Sequence, residues 1–599
     1  MLDAELFQPS RKGLALVRLC ILALFCVFAL RLWFLQIHKG DRFASKAREN
    51  RLREIPVYAP RGLIRDRDGT LVADNKPAYA LALIREECSD IDDCLHQVSQ
   101  WTGQPLAQLK SRFERGRKHT RPFETQILVP HLDFGLVAKI EAHAPQWPGL
   151  KVLSRPQRSY PYGEDLAHVL GFVAQASEQE LRADAKLRLG DMVGKSGVEK
   201  AFEKHLRGKK GRKQIEVNAA GRGLQERMVR QPEAGQDVRL SIDLSLQRKA
   251  MDLLANKAGS IIVLDPKTGE LLTLASSPSY DSNLFVQGIS SKDWERLATN
   301  PRQPLQNRAI QNVYPPGSVF KLVMVGCALH EMGVDPRKEV YCNGAYTLGN
   351  RTFRCWKKEG HGDVDMRKAL VESCDVYFYK LGQELGVETI SEYAKLWGLG
   401  EKTGINLPQE KSGLIPSREW KRRQRGARWQ GGDTVNMSIG QGSTLTTPLQ
   451  IATMLGGLLN EGTLVTPSLL HNSPVKEGGQ MPLSPQERQR ILQYMVDTVD
   501  SRRGTARRLQ SKGVTIGGKT GTAQVVKLVD PEDDEEILYK YRDHAWMASF
   551  GRYEDQTYVV VTFIEHGGSG GATAGPPTKA MYDALFPQAA QGQSNSDTH

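Results

Sequence analysis

The chain predicts an α+β protein: an antiparallel sheet with helices packed on it, preceded by a membrane-crossing helix and a non-catalytic domain. Three observations predict this. Residues 14–37 are apolar, with a charge-free centre at 19–30, and that is long enough for the ~20 residues a spanning helix needs. Apolar runs at 260–265 and 270–275, joined by Pro266-Lys267-Thr268-Gly269, read as a hairpin. Residues 515–526, 545–553 and 557–565, rich in Val, Thr, Phe and Ile, read as further strands. Helical patterns fill the space between, giving strands, helices, then strands.

In chain order, residues 1–12 are expected to be a cytoplasmic tail and 13–37 the anchor. Arg18 and Arg31 at the edges can snorkel, and Trp33 suits an interface. No small-residue cleavage site follows Leu35, which favours an uncleaved anchor over a signal peptide. Arg11 and Lys12 favour a cytoplasmic N-terminus, although Lys39, Arg42, Lys46 and Arg48 on the far side weaken the bias. The chemistry below requires the body to lie outside the cytoplasmic membrane.

Residues 38–240 carry no motif that proposes chemistry and read as a scaffold or interaction domain. Arg61 to Gly69 reads as a strand ending in an Asp-Gly turn. Cys88 and Cys94 are close enough in sequence for a disulfide in an exported region. Gly194-Lys195-Ser196 lacks the upstream glycine and strand of a phosphate-binding loop. Residues 241–587 form the second domain. It opens with a helix from Ser241 to about Lys257, and 366–384 and 485–502 read as later helices. The polar end, 588–599, reads as a disordered tail. The formal net charge of +13 favours anionic lipid or an acidic polymer as partner. No zinc-finger spacing or aromatic-basic RNA motif supports nucleic acid.

The chemistry centres on Pro315-Pro316-Gly317-Ser318-Val319-Phe320-Lys321. The prolines and glycine stop the preceding segment, and the apolar run from Val319 to His330 starts a helix. Ser318 and Lys321 then share one helix face. A buried lysine of lowered pKa could take the serine's proton, and the helix N-terminus aims N–H groups at an oxyanion. Alone, S-x-x-K is a weak signal whose bland reading is a helix-capping serine beside a solvated lysine. Ser373-Cys374-Asp375 and then Lys519-Thr520-Gly521-Thr522 follow in the order of the serine acyl-transfer set.

These motifs, after a membrane anchor, resemble the class B penicillin-binding proteins, most closely the elongation type. Arg61 to Gly69, Arg158 to Gly163 and Gly194 to Glu199 look like the family's pedestal motifs. Ser438 to Gly442, Thr446-Thr447-Pro448, and Trp356-Lys357-Lys358 with His361-Gly362 look like its catalytic domain. The resemblance covers nearly the whole chain and leaves no room for a glycosyltransferase domain. It implies an elongated pedestal, a serine β-lactamase-like transpeptidase domain, peptidoglycan cross-linking in cell elongation and shape maintenance, and sensitivity to β-lactams. By resemblance, Ser318 is the acylated nucleophile, Lys321 its base, and Ser373 the relay to the leaving amine. Lys519, Thr520 and Thr522, around Gly521, would hold the donor peptide and its carboxylate, with the N–H groups of Ser318 and Thr522 as oxyanion hole. Asp375 stands where most relatives carry Asn, which puts a substrate contact there in doubt, since an ionised acid only accepts hydrogen bonds. A SEDS-family glycosyltransferase in the membrane and a coiled-coil elongation scaffold outside are the implied partners. Peptidoglycan stem peptides, on lipid-linked or nascent strands, are the implied substrate. A division-type transpeptidase and a D,D-carboxypeptidase share the catalytic set. A β-lactam sensor that is acylated without turnover, or a structural membrane protein, would differ in turnover or in acylation.

Catalysis needs no cofactor. Cys342, Cys355, His361 and Cys374, spaced C-x12-C-x5-H-x12-C, suit structural zinc by ligand type. A disulfide or plain buried thiols compete with that reading, and the resemblance implies a metal with His361 and Cys374 in matching places. Cys327 reads as core, and Cys20 and Cys26 lie in the membrane segment. His544 reads as a surface or satisfied histidine, and the acidic run 532–536 as a solvated loop that could rim the site.

Overall fold

The computed structural model describes residues 11–42, 52–118, 120–217, 223–525 and 541–589. The acidic run 532–536, residues 1–10 and the tail beyond 589 lie outside them. Helix Arg11–Trp33 continues in a π-turn, Phe34–His38. Residues 12–38 are long and apolar enough to cross a membrane, and their side chains are exposed or half-buried.

By packing, the chain forms two compact units. One takes in the N-terminal segment to Ala59, Ala78–Arg155 and Lys209–Ala234; the other Pro60–Pro77, Pro156–Gly208 and the chain from Gly235. In the first, Tyr79 to Leu83 pair antiparallel with strand Gln126–Leu132. Helices Ile91–Thr102, Leu106–Arg117 and Phe134–His143 accompany them, and Leu81, Val98, Leu109, Phe113 and Ile140 share one core. Asp90 caps the first helix by accepting from Asp92 N and Asp93 N. Cys88 and Cys94 are thiols with Sγ atoms 2.8 Å apart.

In the second unit, Ile64 and Arg65 pair with Ala73 and Leu71, and Asp66 Oδ1 accepts from Asp68 N and Thr70 N across the Asp68-Gly69 turn. Glu199 is fully buried here. Its Oε1 meets Arg158 Nε and its Oε2 meets Arg61 Nε, both at 2.6 Å, and Tyr160 donates to it at 3.2 Å. Burial alone would raise this carboxyl, but the two guanidinium groups hold it below the usual range.

The unit's centre is a five-stranded sheet in the order Leu271–Ser277, Gly259–Leu264, Gln556–Ile564, His544–Tyr553, Thr515–Ala523. Every pairing is antiparallel. Strand residues alternate between faces. Ile262 and Leu264 enter the large helical core with Phe320, Val323 and Ile451. Ile261 and Val263 pack with Leu246 and Ala250 of helix Leu244–Leu253, and with Met581 and Tyr582 of helix Gly575–Leu585. Helices therefore cover both faces, and the strands are buried runs rather than polar–apolar alternations. Helix Leu244–Leu253 starts later than expected because Asp243 caps it, accepting from Leu246 N at 3.0 Å, and it ends before the expected Lys257.

The expected helix over 366–384 is two, Met366–Val371 and Asp375–Leu385. Ser373 N donates to Leu370 O at 3.3 Å and Cys374 N to Ala369 O at 2.9 Å. Ser373 has φ +56°. That is a Schellman termination, with serine at the left-handed position that glycine usually fills.

Candidate active site

Pro316 leads into a 3-10 turn, Gly317–Phe320, that continues as helix Lys321–Met332. Ser318 therefore sits on a tight turn before the α-helix rather than within it, and is half-buried. Gly317 has φ +54°, and a Cβ there would lie 2.8 Å from Thr522 O. Gly521 faces the same turn, where a Cβ would meet Pro316 O at 2.9 Å and Val319 Cγ2 at 3.1 Å. The Ser318 turn thus presses against the edge strand Thr515–Ala523. Trp546 in the neighbouring strand holds the turn's entry through Nε1–H to Pro315 O at 3.0 Å.

Residue alternation aims Lys519 and Gly521 at this side of the sheet. Lys519 is fully buried, and its Nζ reaches Ser373 Oγ at 2.9 Å. Lys321, also fully buried, donates to Ser373 Oγ at 3.2 Å, Ser373 O at 2.9 Å and Asp375 Oδ1 at 2.7 Å. Two lysines 198 positions apart in sequence, 321 and 519, so converge on one serine hydroxyl. The S-x-D motif reaches them because the helix breaks at Ser373. Burial, and then the neighbouring Lys321, push the Lys519 pKa well below the lysine range, with Asp375 opposing. Ser318 Oγ has no hydrogen-bond partner among the described residues; Lys321 is turned toward Ser373 and Asp375.

Both oxygens of Asp375 are engaged. Oδ1 meets Lys321 and Oδ2 accepts from Trp356 N at 2.9 Å. Asp375 therefore acts on Lys321 and on a backbone N–H. Trp356 also donates through Nε1 to Glu372 O at 3.2 Å and Ser373 O at 3.1 Å. The motif spacing gave no signal for this, nor for Thr505, whose hydroxyl accepts from Thr520 at 2.8 Å. Thr522 is exposed at the strand's end, with Gln441 Nε2 donating to its carbonyl at 3.2 Å. His544 is half-buried, accepts from His566 N at 3.1 Å, and is held neutral by burial, at a pKa of about 4. It is satisfied structurally.

Cys342, Cys355, His361 and Cys374 are all buried, with ligand atoms within 4.8 Å of one another. His361 Nδ1 lies 3.6 Å from both Cys342 Sγ and Cys355 Sγ. Zinc bonded to sulfur at about 2.3 Å and to nitrogen at about 2.0–2.1 Å in a tetrahedron separates S and N by about 3.6 Å, so the residues fit the ion. Cys374 lies between Ser373 and Asp375, so this cluster adjoins the catalytic loop. Cys327 is buried in the main core.

The arrangement defines a serine acyltransferase with two lysines and a second hydroxyl. Comparison with known families agrees: residues 259–583 match the penicillin binding protein transpeptidase domain, and 56–240 the penicillin-binding protein dimerisation domain. The peptidoglycan D,D-transpeptidase MrdA of Acinetobacter baumannii is 35% identical, covering 94% of this chain and 85% of its own. That of Escherichia coli K12 is 33% identical, covering 96% and 94%. Among solved structures, Helicobacter pylori PBP2 in complex with MreC matches with TM-score 0.80 and 32% identity, over 90% of this chain and 99% of that one. Pseudomonas aeruginosa PBP2 in complex with WCK 5153 matches with TM-score 0.67 and 30% identity, over 89% and 97%. A peptidoglycan synthase complex chain matches with TM-score 0.68 and 30% identity, over 96% and 98%. The chain belongs to the class B penicillin-binding proteins, and within them to the PBP2 (MrdA) type, the elongation-type D,D-transpeptidases.

Proposed function

We propose that Ser318 carries the acyl group in cross-linking peptidoglycan stem peptides. The convergence of Lys321 and Lys519 on Ser373 Oγ carries this reading. The donor's D-Ala-D-Ala end adds as an extended segment along edge strand Thr515–Ala523, as peptides add to open sheet edges. Lys519, Thr520 and Thr522 take its carboxylate. Ser318 Oγ attacks the penultimate carbonyl while Lys321 accepts its proton, and the N–H groups of Ser318 and Thr522 hold the oxyanion. The C–N bond breaks, and the proton returns through Ser373 to the departing D-Ala amine. An acceptor amine then attacks the ester carbon, forms the new amide and frees Ser318. Asp375 positions Lys321.

Residues 13–37 anchor the protein in the cytoplasmic membrane, with the N-terminus inside and the 38–240 pedestal and 241–587 transpeptidase domain in the periplasm. A SEDS-family polymerase and a coiled-coil scaffold are its partners, supported by the relatives solved with MreC and in a synthase complex. Zinc held by Cys342, Cys355, His361 and Cys374 would brace the Ser373 loop without entering the chemistry. Chelation of the purified protein is expected to lower its melting temperature and its acylation rate; unchanged values would remove the metal from the account.

The test is turnover of nascent strands carrying pentapeptides by the detergent-purified protein. Release of D-Ala with formation of cross-linked dimers, both lost in Ser318→Ala, is expected. Release without dimers would make the protein a carboxypeptidase, and neither product would refute the reading.

A further inference from the structure

The transpeptidation reading places the donor on the Lys519 strand and leaves the second substrate unplaced. A cavity of about 330 Å³ lies beside that cleft, between helices Arg418–Arg425 and Gly431–Ser438. Trp420, Trp429, Lys421, Arg425, Asn436 and Gln441 line it. Its wall is continuous with the catalytic turn. Gln441 donates to Thr522 O at 3.2 Å, and Gly440 O accepts from Gly317 N at 3.0 Å. One end of the cavity is thus bonded to both backbone segments that flank Ser318.

Its charge is unbalanced. Lys421 is ion-paired with Asp433, whose same oxygen accepts from Gln430 N at 2.7 Å. Trp429 Nε1 is committed to Thr434 Oγ1 at 2.8 Å. Arg425, one turn beyond Lys421, is exposed and has no carboxylate partner among the described residues. The cavity offers a guanidinium with no carboxylate partner among the described residues, suited to bidentate capture of a carboxylate, in a lining that also holds the Trp420 and Trp429 side chains.

We propose that this cavity is the acceptor subsite, taking a stem peptide through its free carboxylates and holding its amine toward the Ser318 ester. The inference rests on the acyl-enzyme reading above. In the step it serves, the acceptor nitrogen bonds to the acyl carbon, the bond from that carbon to Ser318 Oγ breaks, and the amine's proton is returned to Ser318.

The test compares Arg425→Glu and Trp420→Ala with Arg428→Glu, an exposed cation of the same segment that does not line the cavity. Acylation by labelled penicillin needs no acceptor and measures whether the cleft is intact. Transfer from a thioester donor is then followed to a stem tetrapeptide and to free D-alanine. For Arg425→Glu and Trp420→Ala, the KM for the tetrapeptide is expected to rise at least tenfold, with D-alanine transfer much less affected and Arg428→Glu like the parent. Unchanged tetrapeptide KM in an acylated Arg425→Glu protein would overturn the proposal. Absence of acylation in the parent protein would instead bring down the Ser318 reading, and this inference with it.

Discussion

With Lys321 Nζ 2.7 Å from Asp375 Oδ1 and 3.2 Å from Ser373 Oγ, the carboxylate at 375 sets where the lysine's nitrogen rests. Asp375→Asn keeps a hydrogen-bonding side chain but removes the carboxylate's charge from beside a buried lysine, where losing one partner is costly. The penicillin acylation rate of the variant is expected to fall by about 10- to 100-fold. Lys519 yields a second test at this scale. Folding depresses its pKa, so the unfolded chain binds the extra proton between that depressed value and the usual ~10.4. Its contribution to stability is complete above the upper limit and is lost as the pH falls through the folded value. Lys519→Met should therefore flatten the rise of melting temperature with pH across that window. An unchanged slope would mean that Lys519 keeps an ordinary pKa. The motif spacings revealed these lysines but not their pairing. A carboxylate's role depends on which distant cation it meets, and Asp375 meets one 54 positions away.

The break at Ser373 belongs to the scale of the element. A non-glycine residue in the left-handed region costs about 1–2 kcal/mol, and here it turns the Ser373 hydroxyl toward both lysines. Ser373→Gly and Ser373→Ala both remove the hydroxyl that Lys321 and Lys519 share and should lower acylation, but only glycine relaxes the backbone, so Ser373→Gly should melt higher than Ser373→Ala. A Ser373→Gly melting temperature no higher than that of Ser373→Ala would show that the termination is unstrained. The break was not legible from sequence, because 366–384 keeps a helical apolar pattern and no glycine marks the stop. By contrast, the sheet strands were legible to within a few residues. Their β-branched runs are bounded by turns such as Pro266-Lys267-Thr268-Gly269, and strands joined by such short turns, there and at Glu554-Asp555, pair antiparallel.

At the scale of the whole molecule, the chain from Gly235 on packs as one compact unit with Pro60–Pro77 and Pro156–Gly208. No spacing signal reveals that Arg61, Arg158 and Glu199 meet within it. Glu199→Ala would leave Arg158, whose side chain is 2% exposed, buried without its carboxylate. The expected loss is about 3–5 kcal/mol of stability, read by chemical denaturation of the detergent-solubilised protein. The apolar helix at the N-terminus was legible because its signal is local, a long apolar run.

The most direct measurement is to expose the purified protein to a labelled penicillin and locate the adduct by mass spectrometry. The account predicts one adduct, on Ser318, absent in Ser318→Ala and formed far more slowly in Lys321→Ala. An adduct on another residue, or none on folded protein, would contradict it.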